Sequence, residues 1–215
     1  SEDDDGLWDL NEVPSVLIST FPSHEAIAKA YGDRALPKAQ PNPRVRELVT
    51  QILGAEQRPR ERARLVYEWV SRNITYAGNC IGTGVVVPRD QSVVLDNKMG
   101  DCKDHATLLQ AMWAAAGIPS EQVLVNAGRE YQLPKTAVVS MVNHAMNYIP
   151  SLQLYADATA KEVPFGLVPD ALWGKPVIHV GAAKALARIP DDDHMTNQQR
   201  LHLNMKLEPS GAAKG

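Results

Sequence analysis

Residues 99–109 read MGDCKDHATLL and contain the feature that decides the fold. Gly100 predicts a turn, and the apolar residues that follow recur with helical spacing up to a stop signal at Gly117. Asp101 is placed as the N-cap of this helix, and Asp104, three residues later, is placed as the acid of a capping box. The stretch therefore predicts a cysteine at the first position of an apolar helix.

Cys102 at this position is a candidate nucleophile. The unpaired backbone N–H groups and the positive end of the helix dipole favour a thiolate, which is the nucleophilic form of cysteine. The backbone N–H of Cys102 itself is placed to stabilise an oxyanion. A lone cysteine in a globular chain is more often a buried, inert side chain, so the hypothesis needs partner residues.

A predicted β-hairpin downstream carries a histidine and an acid. Residues 142–149 indicate one strand with His144 near its start, and residues 152–157 alternate as a second strand that ends at Asp157. Side chains so placed on neighbouring antiparallel strands lie side by side, and a carboxylate fixes the tautomer of an adjacent imidazole. Alone, the histidine is more often structural and the acid more often a turn cap. The ordered set of Cys, His and Asp favours a catalytic triad.

These motifs resemble the bacterial transglutaminase-like domain, a branch of the papain-like cysteine hydrolases. The matching segments are Trp69-Val70, Asn73-Ile74, Tyr76, Pro88-Arg89, 100–104, 106–109, 115–118, Asn143-His144, 157–160, 164–166 and 174–176. By this resemblance, Cys102 is the nucleophile, His144 is the general base and acid, and Asp157 is the orienting carboxylate. Two residues depart from the family pattern: His105 replaces a lysine of many relatives, and Asn147 makes its strand more polar than usual.

The resemblance implies an α+β, papain-like fold of the transglutaminase core, in which N-terminal helices come first and the nucleophile helix packs on an antiparallel β-sheet. We expect an N-terminal extension and linker over 1–43, the catalytic core over 44–180 and a C-terminal extension over 181–215. Residues 200–207 alternate and predict a strand with no hairpin partner after it. Relatives carry β-rich domains next to this core, so we expect the 215 residues to be part of a larger protein.

The remaining elements follow from periodicity and turn signals. We predict helices at about 24–31, at 44–53 and from Pro59 onward, a strand at 122–126, long loops at 77–98 and 128–139, and little regular structure over 164–176.

A second oxyanion donor, from a side chain upstream of the nucleophile, is common in this family. Tyr76 is the first candidate, and Asn97 and Trp69 are the others. Trp69 and Tyr76 also fall on an amphipathic pattern, which favours ordinary positions in the core or at its rim.

The chemistry implied is acyl transfer through a thioester, on a protein or peptide substrate with a glutamine or other amide carbonyl. With water as acceptor the protein is a peptidase or amidase, and with a lysine-type amine it is a transglutaminase. Analogy with bacterial relatives favours the hydrolase. A catalytically silent binding or scaffold module of an envelope-associated protein is the alternative of a different class. The resemblance also implies the bacterial periplasm or cell envelope as location.

Composition and charge limit the classes of partner and the kinds of site that we expect. The formal net charge of -3 argues against nucleic acid as the main partner. No apolar run is long enough for a membrane span, and no signal peptide is recognisable. The histidines and the two cysteines lack metal-ligand spacing, so we expect no metal, and no motif indicates a cofactor. A disulfide between Cys80 and Cys102 would silence the nucleophile, and a free or buried Cys80 is the favoured interpretation.

Overall fold

The computed structural model describes residues 14–78, 86–182, 184–191, 202, 204–211 and 213–214. Within these residues the α-helices are α1 (His24–Ala35), α2 (Pro43–Leu53), α3 (Pro59–Asn73), α4 (Gln91–Asn97) and α5 (Cys102–Ala115). The strands are β1 (Thr75–Tyr76), β2 (Met99–Gly100), β3 (Glu121–Val125), β4 (His144–Ile149), β5 (Leu154–Ala156), β6 (Pro176–Val180), β7 (Leu186–Arg188), β8 (Lys206–Leu207) and β9 (Ala213–Lys214). No helix in the described ranges is long and apolar enough to cross a membrane.

The N-terminal helices begin at local start signals in the sequence. Ser23 caps α1 by accepting a hydrogen bond from the backbone N–H of Ala26, and Asn42 caps α2 through the N–H of Val45. Pro59 occupies the first turn of α3, where its missing N–H costs nothing. These helices therefore begin within about a residue of the predicted positions.

The main sheet has the strand order β5-β4-β3-β6-β7, and every neighbouring pair in it is antiparallel. The central strand β3 pairs on one side with β4, where Val125 lies opposite His144, and on the other side with β6. The predicted hairpin is formed by β4 and β5. Because His144 begins β4 and Asp157 directly follows β5, both side chains lie at one end of this hairpin.

Helix α5 packs against the sheet on one side and against α2 and α3 on the other. Leu109, Met112 and Trp113 of α5 are fully buried in this core, and the indole N–H of Trp113 donates to the Ala63 carbonyl at 3.0 Å. The polar Asn147 of β4 is also buried and donates to the Ala106 carbonyl of α5 at 2.9 Å. The polar side chain on that strand thus links the sheet to α5, and the predicted α+β arrangement is confirmed.

Two predictions of secondary structure were wrong in part, and one strand was not predicted. Helix α1 continues to Ala35, four residues beyond the predicted end. The predicted loop 77–98 contains α4. Strand β6 begins at Pro176, where irregular structure was expected to end, and its residues Val177 and Ile178 are fully buried. A proline at the first position of a strand is compatible with the ladder, so its presence did not exclude this strand.

The prediction that the strand at 200–207 has no hairpin partner after it was also wrong. In the described part of 200–207 only Lys206–Leu207 is a strand, and it pairs antiparallel with Ala213–Lys214. A hairpin partner therefore follows it. Gly211 has φ 84° and lies in the connecting turn, a conformation that glycine adopts at low cost. Backbone pairing of this kind does not need large side chains in the second strand.

Candidate active site

A short parallel pair of strands delivers Cys102 to its position. Thr75 of β1 lies opposite Met99 of β2, and Tyr76 lies opposite Gly100. Asp101 then follows as the N-cap, and Cys102 is the first residue of α5. Its N–H belongs to the first turn, whose N–H groups have no partner within the helix.

The capping box around Asp101 is closed in both directions. The Asp101 side chain accepts from the N–H of Asp104, and the Asp104 carboxylate accepts from the N–H of Asp101 at 3.0 Å. A Cβ at Gly100 would lie 2.8 Å from the Cβ of Asp104. Glycine is therefore required at position 100 because the Asp104 side chain leaves no room for a Cβ, and not because of a positive φ.

Arg89 holds the capping acid from the other side. Its backbone N–H donates to Asp104 Oδ1 at 2.6 Å, and its Nε and Nη2 donate to Oδ2 at 2.9 and 2.7 Å. Burial favours the neutral acid, but the hydrogen bonds and charge of Arg89, with the Asp101 N–H, prevail and lower the pKa of Asp104. The sequence alone gives Arg89 no role beyond its place in a family motif.

Two further contacts fix the start of α5. The buried ring of His105 lies between two carbonyl groups, with Nδ1 2.8 Å from the Asp101 oxygen and Nε2 3.2 Å from that of Ile74 at the end of α3. The buried Lys103 ammonium forms an ion pair with the Asp101 carboxylate. The turn that presents the thiol is thereby held by groups from α3 and α5.

His144 and Asp157 form a direct pair. His144 Nε2 lies 2.7 Å from Asp157 Oδ2, and both side chains are largely buried. Thr159 orients the acid, because its N–H and Oγ1 donate to Asp157 Oδ1 at 3.0 and 2.6 Å. Burial opposes the charge on this carboxylate, but the hydrogen bond and charge of His144 and the bonds from Thr159 lower the pKa of Asp157.

Cys102 lies on the other side of the same imidazole. Burial disfavours a charged ring, but hydrogen bonds and charge from Asp157 and from Cys102 outweigh it and raise the pKa of His144 to about 10. Because Nε2 is engaged by Asp157, Nδ1 is the nitrogen left to face the sulfur. Cys102 is a free thiol, and Cys80 lies outside the described residues. The three predicted triad residues are thus brought together, with the histidine in the middle.

The thiol and the imidazole open into one cleft of about 590 Å³. Helix α1 contributes Ile27, Ala30 and Tyr31 to its wall, which sequence analysis had not connected with the site. Burial, with the nearby charge of Cys102, raises the pKa of Tyr31 far above its ordinary value. Its hydroxyl therefore keeps its proton.

The predicted oxyanion side chains lie apart from the described lining of this cleft. Tyr76 is half-exposed, and its ring lies 6.1 Å from that of His105. Asn97 is exposed at the end of α4, and the Trp69 ring lies under the Lys98 ammonium, 4.8 Å from it. Their assignment as the second donor stays a prediction.

The comparisons with known proteins concern the family and the fold of the chain. The sequence model of the transglutaminase-like superfamily matches residues 46–153, just over half of the chain. No curated protein matches the chain. A crystal structure of a presumed protease from Parabacteroides distasonis ATCC 8503 is similar with a TM-score of 0.62 and 18% sequence identity, over 80% of this chain and 32% of its own.

A presumed cysteine protease from Cytophaga hutchinsonii is similar with a TM-score of 0.42 and 18% identity, over 59% of this chain and 42% of its own. The chain thus spans about a third of the length of the Parabacteroides protein and less than half of the Cytophaga protein. The Parabacteroides structure shares the fold with this chain. With the superfamily model matched over half of its residues, the chain belongs to the transglutaminase-like superfamily.

Proposed function

We propose that this protein is a cysteine hydrolase, a peptidase or amidase, that acts on a protein or peptide substrate through a thioester. The observation that carries the proposal is the arrangement of Cys102, His144 and Asp157. One nitrogen of the imidazole is bonded to the acid at 2.7 Å and the other is left to the thiol at the start of α5. This is the order of nucleophile, base and orienting acid that acyl transfer needs.

In the acylation step the Cys102 thiolate attacks the amide carbonyl carbon and forms a C–S bond, while the carbonyl π electrons move to oxygen. The tetrahedral intermediate collapses when that electron pair returns and the C–N bond breaks. The imidazolium of His144 gives its Nδ1 proton to the departing amine. Because the pKa of His144 is raised to about 10, the ring carries this proton at neutral pH.

In the deacylation step a water molecule gives a proton to the neutral imidazole as its oxygen attacks the thioester carbon. The C–S bond then breaks, the acid is released, and the thiolate and imidazolium are restored. Asp157 keeps the ring oriented throughout and stabilises its charged form. The oxyanion of both steps is held by the Cys102 N–H, with Tyr76, Asn97 or Trp69 as the proposed second donor.

Water as the acceptor rests on analogy. Bacterial members of this superfamily are more often hydrolases, and the Parabacteroides protein with this fold is described as a presumed protease. An amine acceptor would pass through the same thioester and give a transglutaminase. The experiment that follows distinguishes water from an amine as the acceptor.

An activated ester tests the proposal without knowledge of the natural substrate. With p-nitrophenyl acetate, we expect a burst of one equivalent of p-nitrophenol and a transient acetyl adduct on Cys102 in the intact mass. The adduct should turn over to acetate in water, and added cadaverine should not be acetylated in preference. Preferential aminolysis would make the protein a transglutaminase. No burst and no adduct would leave the silent binding module as the better description.

A further inference from the structure

The cleft beside the thiol has an apolar wall that comes from the N-terminal extension. Ile27 and Ala30 of α1 line it together with Leu124 of β3 and Val142, which precedes β4. Helix α1 lies outside residues 46–153, which the superfamily model matches. This wall is thus an addition of this chain to the matched region. The cleft has a volume of about 590 Å³, which lies in the range of pockets that bind small ligands.

Helix α1 is fixed on the sheet, so that the wall is already formed in the free protein. The Tyr31 hydroxyl donates to Gln122 Oε1 of β3 at 2.6 Å. A Cβ at Gly32 would lie 2.9 Å from Val180 Cγ1 of β6, and Ile27 is only 3% exposed. A preformed apolar wall favours binding, because little conformational entropy is lost when a ligand group enters.

The charges around the cleft oppose a cationic ligand group. Arg34 and Lys103 are the lysine and arginine residues in its described lining, and that lining holds no aspartate or glutamate. Lys103 is neutralised by its ion pair with Asp101. Apart from the Cys102 thiolate, which the proposed mechanism pairs with the His144 imidazolium, no anion in the described lining would compensate a buried ammonium.

We infer that this cleft is the subsite for a bulky apolar side chain on the acyl part of the substrate. The inference rests on the proposed function, since it assumes that Cys102 forms an acyl-enzyme. In a thioester mechanism the acyl part stays in the site through both steps, while the amine and the water exchange. The apolar cleft is lined by both Cys102 and His144 and therefore suits the part that stays.

A series of thiol-directed probes tests the inference. N-acetyl aminoacyl chloromethyl ketones that carry Gly, Ala, Leu, Phe or Lys place the varied side chain on the acyl side. We expect the Leu and Phe probes to alkylate Cys102 roughly tenfold or more faster than the Ala probe, and the Lys probe to be no faster than the Ala probe. Mass spectrometry of the Cys102 peptide gives each rate. Equal rates for all five probes would overturn the subsite.

A pair of variants on α1 tests whether this helix is responsible for the preference for the Leu and Phe probes. Ala30→Phe fills the cleft and should reduce the rates with the Leu and Phe probes to about that with Ala. Lys29→Phe adds the same ring at a side chain that is 75% exposed, and it should leave the preference unchanged. If both variants or neither reduced the preference, α1 would not form the subsite. Should Ala30→Phe fail to fold, the series on the unmodified chain decides by itself.

Iodoacetamide separates failure of the inference from failure of the proposed function. It has no side chain to place in the cleft, so its rate reports the thiol alone. Fast alkylation of Cys102 by iodoacetamide with no preference among the probes would leave the hydrolase intact and remove the subsite. An inert Cys102 toward iodoacetamide and every probe would remove both.

Discussion

Within the part of the chain that the structure describes, two histidine–carboxylate pairs have the same closest distance, and one of them adjoins a thiol. His144 Nε2 and Asp157 Oδ2 are 2.7 Å apart, and so are His179 Nδ1 and Glu121 Oε2 on the same sheet. Both imidazoles are largely buried, with side-chain exposures of 12% and 6%. The pair alone therefore does not define a catalytic site.

The two pairs differ in what lies on the other side of the ring. The second nitrogen of His144 is left to the thiol of Cys102, whereas Nε2 of His179 lies 3.0 Å from the Tyr155 hydroxyl. Burial first, and then the neighbouring charges, raise the pKa of Tyr155 to about 12, so this hydroxyl keeps its proton and can donate to Nε2. The His179 pair is satisfied by hydrogen bonds alone. We interpret it as structural.

The largest effect should come from removing the thiol. Cys102→Ala should abolish the ester burst, and His144→Ala should reduce acylation by about 10⁴-fold or more, since members of a triad act as one unit. Both variants should remain folded, as measured by circular dichroism. The matched control is His179→Ala.

His179→Ala should leave acylation within about twofold, because additive effects are expected for separate sites. It should instead lower the free energy of unfolding by about 1–3 kcal/mol, since the buried ring loses its bonds to Glu121 and Tyr155. Urea unfolding measures this loss. A strong loss of acylation in His179→Ala would break the distinction between the two pairs.

Substitution of Asp157 and of Glu121 should show the same contrast in acylation as substitution of the two histidines, with a smaller effect. Asp157→Asn keeps the shape but can hold the wrong tautomer and cannot stabilise the imidazolium, so acylation should fall by about 10²–10⁴-fold. Glu121→Gln should change it by no more than about twofold. Steady-state turnover of an amide or ester substrate gives both numbers. If Asp157→Asn turned over substrate at the rate of the unmodified protein, Asp157 would be only a turn residue.

The Asp157 carboxylate accepts hydrogen bonds from Thr159 as well as pairing with His144. Variants of Thr159 test whether this second contact is needed. Thr159→Val removes the Oγ1 donor at 2.6 Å and should lower turnover about 10-fold, whereas Thr159→Ser should retain it. The acid would then be free to rotate away from His144. Equal activity in both variants would show that the backbone N–H of residue 159 is sufficient to hold the acid.

The site motifs were predictable because each is local in sequence. The glycine turn, the N-cap and the apolar periodicity of 99–109 predict the helix that begins at Cys102, and the alternation of 142–157 predicts the hairpin that carries His144. The motif resemblance, and not the spacing alone, connected these segments before the structure did.

The contacts that the sequence did not reveal are those between distant segments. Arg89 reaches Asp104 from a segment with no periodicity, and Tyr31 reaches Gln122 across 91 positions. Strand β6 was missed because its short apolar run begins at Pro176, directly after a segment rich in glycine and proline. No local pattern indicates which strand such a run will join.

The smallest expected effect is a difference between the pairs in how stability depends on pH. The pKa of His144 is about 10 in the folded protein and close to 6.5 in an unfolded chain. Between these values the folded state holds a proton that the unfolded state has lost, so stability falls as pH rises. The contribution is complete below about pH 6.5 and is lost as pH passes through about 10.

We therefore expect the thermal midpoint of the unmodified protein to fall by about 3 °C or more, relative to that of His144→Gln, between pH 6.5 and pH 10. The comparison with the variant removes the contribution of groups that titrate at high pH without contacting His144, and the same comparison in a Cys102→Ala background removes that of the thiol. Cys102→Ala should retain part of this dependence, because the hydrogen bond and the charge of Asp157 still raise the pKa of the ring. Asp157→Asn should lose most of it. If the midpoints of the unmodified protein and His144→Gln fell in parallel across this range, the ring would not hold its extra proton. The imidazolium of the proposed mechanism would then have to form only after substrate binds.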